Sequence, residues 1–212
     1  MTRKRFWEDP YCTEITTTIS GIIDNDITVA ETIFYAFSGG QESDTGTING
    51  HPVVAARKEG HEIRYTLAAV GGLAVGDHVD MRIDWQRRYA LMRLHFAAEI
   101  VLELAQRLFP GIHKIGAHIA ADKARIDFLY SENIAASLPA LQAQAQAIID
   151  TDAVIQSAFS DEAAQRRYWQ IEGFATVSCG GTHLHRTAEV GTIALRRKNV
   201  GKGKERIEIT VA

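Results

Sequence analysis

The chain has 212 residues, a net charge of −3, and a composition that is 46% hydrophobic and 23% charged. A chain of that length buries a self-sufficient core without disulfide staples, and its mild negative charge excludes a protein that coats DNA or other nucleic acid non-specifically, while leaving room for a local basic patch. No apolar run approaches the roughly 18 residues of a membrane span, and the N-terminal MTRKRFWEDP lacks the apolar stretch of a secretion signal, so with only Cys12 and Cys179 as thiols a reducing cytoplasm is expected.

In chain order, the first 80 or so residues read as mostly β. The Thr/Ile/Val-rich runs TEITTTIS, DITVAETIFYAF and HPVVAARK are broken by glycine and aspartate turns. A small barrel-like sheet is expected over 1–84, interrupted by the glycine-rich, polar loop SGGQESDTGTING from Ser38 to Gly50. The strand HVDMRID leads into a helix from Trp85 to Leu108, stopped by Phe109-Pro110-Gly111. Residues 85–212 then read as an α+β domain. A strand near KARIDFLY is followed by a helix opened by Ser137 with Pro139 in its first turn, a strand near AVIQSAFS, and a short helix capped by Ser160. The end of the chain holds IEGFATVS, a glycine turn over Cys179 to His183, and strands VGTIALRR and ERIEITVA joined through NVGKGK. The fold class expected is therefore α+β.

Two pairs of residues carry metal-ligand chemistry. On the long helix, His95 and Glu99 stand one turn apart at the edge of a broad apolar arc that includes Leu91, Leu94, Val101 and Leu104. Two donors so placed on a rigid helix can serve one ion, although an ordinary helix-surface pair has the same spacing. In SCGGTHLH, Cys179 and His183 flank Gly180 and Gly181, a thiolate and an imidazole on a tight loop. Sulfur with nitrogen suits zinc, and the glycine N–H groups are suited to stabilising an oxyanion; a buried thiol beside a turn histidine is the alternative. Near the C-terminus Arg196, Arg197, Lys198, Lys202, Lys204 and Arg206 crowd together with Glu205 between them, enough for several phosphate contacts or a solvated hairpin.

Taken in order, FYAFSGGQESDTGTI, GDHVDMRIDWQRRYALMRLH, RIDF at Arg125 to Phe128, CGGTH, TAEVG at Thr187 to Gly191 and GKGKERIEI resemble the alanyl-tRNA editing domain. The chain resembles in particular the free-standing, medium-length members, called AlaX-type, which carry that domain without the synthetase. The resemblance implies a Zn2+-dependent hydrolase that deacylates mischarged tRNA(Ala), bearing serine or glycine, with tRNA as partner. By position it implies His95, Cys179 and His183 as zinc ligands, with Glu99 where the family carries a fourth histidine. Glu99 is thus either an altered ligand or a catalytic base over an open position. It further implies Gly180, Gly181, Thr182 and Lys114 at the substrate, Lys114 falling near a pocket glutamine of relatives, and the basic residues Arg196, Arg197, Lys198, Lys202 and Lys204 at the tRNA. The helix motif reads HFAAE in place of the family's H-[ST]-A-T-H, so a hydroxyl is lost at Phe96 and at Ala98. Two other functional readings remain at this point: a non-catalytic tRNA-binding relative with a degenerate metal site, and a zinc hydrolase of another small ester or amide.

Overall fold

The computed structural model describes residues 2–212 and is mostly sheet with two α-helices. The chain forms two compact units, one of residues 1–38 and 42–89, the other of 39–41 and 90–212. No helix among the described residues is long and apolar enough to cross a membrane.

The first unit contains β1 (Arg3–Lys4), β2 (Glu14–Ile23), β3 (Asp26–Val29), β4 (Glu31–Thr32), β5 (Gly46–Ile48), β6 (His51–Glu59), β7 (Glu62–Leu67) and β8 (His78–Ile83). β1 pairs with β4 in parallel. The other six strands are hydrogen-bonded in the order β2-β3-β7-β6-β5-β8, and β8 pairs back onto β2 to close the ring. Alternation explains which face is inside: β7 and β8 bury every second residue, Ile63, Tyr65 and Leu67 on one and Val79, Met81 and Ile83 on the other. These meet Ile19, Ile27, Phe34 and Ile48 in one core.

The glycine-rich loop is pinned to this unit by a buried ion pair. Arg88 donates through Nε to Asp44 Oδ1 at 2.9 Å and through Nη1 to the Pro10 carbonyl at 2.9 Å, and a second Arg88 nitrogen reaches the other Asp44 oxygen. Both side chains are wholly buried, and the Tyr35 amide donates to Asp44 at 2.6 Å, so the carboxylate is fully satisfied.

Helix α1 (Trp85–Leu108) begins where Asp84 accepts a hydrogen bond from the Arg87 amide at 3.1 Å, a side-chain N-cap, and ends before Pro110 and Gly111. From Ala90 onward it belongs to the second unit. There it is followed by β9 (His113–Ile119), β10 (Ala124–Leu129), α2 (Leu138–Asp150), β11 (Gln156–Asp161), β12 (Arg166–Ile171), β13 (Ala175–Ser178), β14 (Ile193–Asn199) and β15 (Lys204–Val211). The strands form a four-stranded antiparallel sheet, β14-β15-β10-β9, and a three-stranded one, β11-β12-β13. α2 covers the outer edge of β14, where Gln142 and Gln146 accept hydrogen bonds from the Leu195 and Ile193 amides at 2.9 and 3.0 Å. An edge that would otherwise offer bare donors is satisfied by side chains.

The helix expected after Ser160 is not formed. β11 runs on to Asp161, whose carboxylate accepts the Ala164 amide at 2.9 Å; Gln165 takes a left-handed conformation and the chain returns as β12. The Ser160 hydroxyl donates to the Arg166 carbonyl across this hairpin and caps no helix. The deciding signal is RRYWQI, which buries every second residue and so favours a strand over the helix-forming Glu-Ala-Ala that precedes it. The strand HKIGAHI, exposed over its first three residues at the sheet edge, lacks an apolar alternation by which to recognise it.

Candidate metal centre

The second unit gathers His95, Cys179 and His183, each offering one donor atom, with all three atoms within 4.8 Å of one another. α1 supplies His95 from its buried face, and the turn after β13 supplies the other two. Cys179 Sγ lies 3.4 Å from His95 Nε2 and 3.3 Å from His183 Nε2. Metal–sulfur and metal–nitrogen bonds of about 2.3 and 2.0 Å at tetrahedral angles would separate such donors by about 3.5 Å, so the spacing fits a single ion.

The opposite ring nitrogens are held from behind. His183 Nδ1 is 2.8 Å from Ser157 Oγ, and His95 Nδ1 is 3.4 Å from the Thr182 carbonyl. These contacts aim both Nε2 atoms at the thiol, the arrangement by which outer partners fix a ligand's tautomer and ring orientation. Thr182 is itself fixed: its hydroxyl accepts from Gln41 Nε2 at 2.9 Å, and its amide donates to Gln41 Oε1 at 3.4 Å. Gln41 is carried by the short segment Gly39–Gln41, which runs along β9, the Ile119 amide donating to the Gly40 carbonyl at 2.8 Å. A side chain at Gly40 is barred because its φ is +92° and a Cβ would stand 2.6 Å from the Ala117 carbonyl oxygen.

Gly181 is required for a different reason. A Cβ there would lie 2.0 Å from His95 Cε1, so only glycine lets the loop cross the imidazole. Glu99 stands beside the trio and outside that 4.8 Å group. One of its oxygens is 3.5 Å from His95 Nε2, and the other accepts the Trp169 indole N–H at 2.9 Å.

The electrostatics follow from burial and charge together. Burial alone would lower His95, but its contacts with Cys179 and Glu99 outweigh it and raise the imidazole to about 10. Burial would raise Glu99, yet His95 and the Trp169 hydrogen bond pull it to about 2. His183 is held well below its ordinary value by burial, then by His95.

Of the remaining sequence candidates, Thr182 is buried beside the trio, Gly181 touches His95, and Gly180 is exposed at the turn. Lys114 lies exposed on β9 opposite Phe128, and among the described residues no hydrogen bond or ion pair ties it to the trio. In the C-terminal hairpin, Arg197 grips the buried Glu205 through two bonds of 2.6 Å, Lys198 pairs with Glu208 at 2.9 Å, and Arg206 pairs with Asp127. Arg196, Lys202 and Lys204 are exposed, and neither lysine has an ion pair among the described residues. Sequence reasoning missed Ser157, Trp169 and the site contact of Gln41.

Residues 167–208 match the family described as the threonyl and alanyl tRNA synthetase second additional domain. Over 99% of its length the chain is 33% identical to alanyl-tRNA editing protein AlaX-M of Pyrococcus horikoshii, covering 97% of that protein. It is 29% identical to the AlaX-M protein of Methanosarcina barkeri, covering 99% of it. It is also 31% identical to alanine–tRNA ligase of Ignicoccus hospitalis, of which it spans 26%.

Proposed function

This chain belongs to the free-standing alanyl-tRNA editing proteins, and from that premise we propose that it hydrolyses the aminoacyl ester of mischarged tRNA(Ala) at a zinc site in its second unit. The observation that carries this reading is the convergence of one thiol and two Nε2 atoms, whose soft and borderline donors suit zinc. His95, Cys179 and His183 would hold the ion, which when bound polarises the ester carbonyl and makes water a better nucleophile.

The chain's own residues supply the rest. Glu99, ionised at neutral pH, accepts a proton from the attacking water through the oxygen that faces His95, while its other oxygen stays on Trp169. The water oxygen bonds to the acyl carbon, the carbon–oxygen bond to the terminal ribose breaks, and the ribose oxygen takes the proton. Backbone N–H groups at Gly180 and Gly181 stabilise the tetrahedral oxyanion. Thr182, fixed by Gln41, and Lys114 are the proposed substrate contacts, and the basic C-terminal hairpin is the proposed tRNA contact. In domain terms, we assign 1–84 to a β-rich N-terminal domain and 85–212, joined by Gly39–Gln41, to the editing domain, acting in the cytoplasm.

The amino acid removed is small. Phe96 packs beside the site, its ring edge-on to Trp169 at 5.1 Å and 6.0 Å from the His183 ring, which favours a small acyl side chain. The test is a deacylation panel of tRNA(Ala) charged with serine, glycine and alanine, with metal content measured on the same preparation. About one zinc per chain and faster release of serine or glycine than of alanine are expected. Metal-loaded protein that releases none of the three faster than buffer would overturn the reading.

A further inference from the structure

Trp169 sits on β12, the middle strand of its sheet, with none of its surface exposed. Phe96 packs edge-on against the indole and Phe174 stacks on it at 6.4 Å, so the direction of its N–H is set by the core. That N–H donates to Glu99 at 2.9 Å. On the β11 side Trp169 is paired with Ser157, whose hydroxyl holds His183. Paired residues of an antiparallel sheet project to one face, so a single sheet face reaches both a ligand histidine and the carboxylate next to the ion.

A carboxylate one helical turn from His95 has the reach to be a fourth ligand. Were it to bind, two nitrogens, one sulfur and one oxygen would close a tetrahedral site, the form of a structural centre with no position for a reactant. In this structure the carboxylate stands outside the donor group and its second oxygen is engaged by the indole. We propose that Trp169 is a positioning residue which holds the Glu99 carboxylate off the metal and so keeps the fourth coordination position exchangeable. Hydrogen bonds from outer partners orient groups around metal sites, and here the same device restrains a group from joining one. The inference rests on the proposed metal site and concerns the pair of Trp169 and Glu99.

The test replaces the native ion with cobalt(II) and follows its visible spectrum on adding azide, a probe that binds only where a position is open. Wild type and Glu99→Gln are expected to respond to azide. Trp169→Phe removes the N–H while keeping an aromatic ring; it is expected to lose the azide response, bind cobalt about tenfold more tightly or better, and lower kcat at least tenfold. The double variant Trp169→Phe/Glu99→Gln should recover the azide response, which a merely damaged core would not. If wild type binds cobalt and ignores azide, or if Trp169→Phe responds as wild type does, the proposal is overturned while the metal reading stands. If wild type takes up no metal at all, the metal reading falls with it.

Discussion

At the scale of single residues, the site depends on one missing side chain as much as on its donors. Gly181 is crossed by His95 so closely that an added methyl group would overlap Cε1 at 2.0 Å. Its backbone is not in the left-handed region, so alanine there costs no backbone strain, and the conflict falls on two side chains, the imidazole first and the Gln41 Oε1 at 3.0 Å after it. Gly181→Ala is therefore expected to keep its fold by circular dichroism and lose at least tenfold in metal affinity, measured by competition with a chromophoric chelator. Retained affinity would mean that His95 is not a ligand. Charge at Lys4 makes a second residue-scale case. Burial, followed by Lys58, lowers its ammonium to about 8 from the ordinary 10.5, although it donates to the His61 carbonyl at 2.9 Å. Below pH 8 both folded and unfolded chains carry the proton and the cost of burying it is complete; between pH 8 and 10.5 the folded chain sheds it first, so stability rises with pH. Across that window the difference between wild type and Lys4→Met, from urea unfolding, should shift toward wild type by on the order of 1–2 kcal/mol. A difference that stays constant would show that Lys4 keeps its charge.

At the scale of elements, the C-terminal hairpin separates cations that hold the fold from cations that are exposed. Arg197 pairs with Glu205, which is 4% exposed, so Arg197→Ala leaves a buried carboxylate alone and is expected to lower the melting temperature in thermal unfolding. Lys202 and Lys204 are exposed in or beside the turn, and replacing both with alanine should leave thermal stability near wild type while weakening tRNA binding. The slope of log affinity against log salt should fall by about one to two, as expected for two lost phosphate contacts, in filter-binding titrations. An unchanged slope would make the turn a solvated hairpin. The same elements show what is readable in a single sequence. The long helix and the two pairs His95/Glu99 and Cys179/His183 are local patterns: a 3.6-residue period, an i,i+4 spacing, and a cysteine and histidine about a glycine pair. The contacts that orient them are not local, since Ser157 meets His183 across 26 residues, Trp169 meets Glu99 across 70 and Gln41 meets Thr182 across 141. Local propensity also misleads after Ser160, where Glu-Ala-Ala favours a helix and the alternation of the next strand overrides it.

At the scale of the whole molecule, the division into units does not follow the order of the chain. Gly39, Gly40 and Gln41 lie in the midst of the first unit's sequence yet belong to the second, with Gly40 against β9 and Gln41 on Thr182. The second unit is thus discontinuous: three of its residues are made almost fifty positions before the rest of it begins at Ala90. Any fragment that starts at the helix, however well it keeps the two histidines and the cysteine, is an unfinished piece. It leaves both the hydroxyl and the amide of Thr182 without their glutamine, and with them the support under His95. During synthesis the order is reversed, and the glutamine emerges long before the loop it will hold, so the site is completed only after Thr182 has been made. Transplanting the second unit into another protein therefore means carrying two stretches of sequence, one of them three residues long.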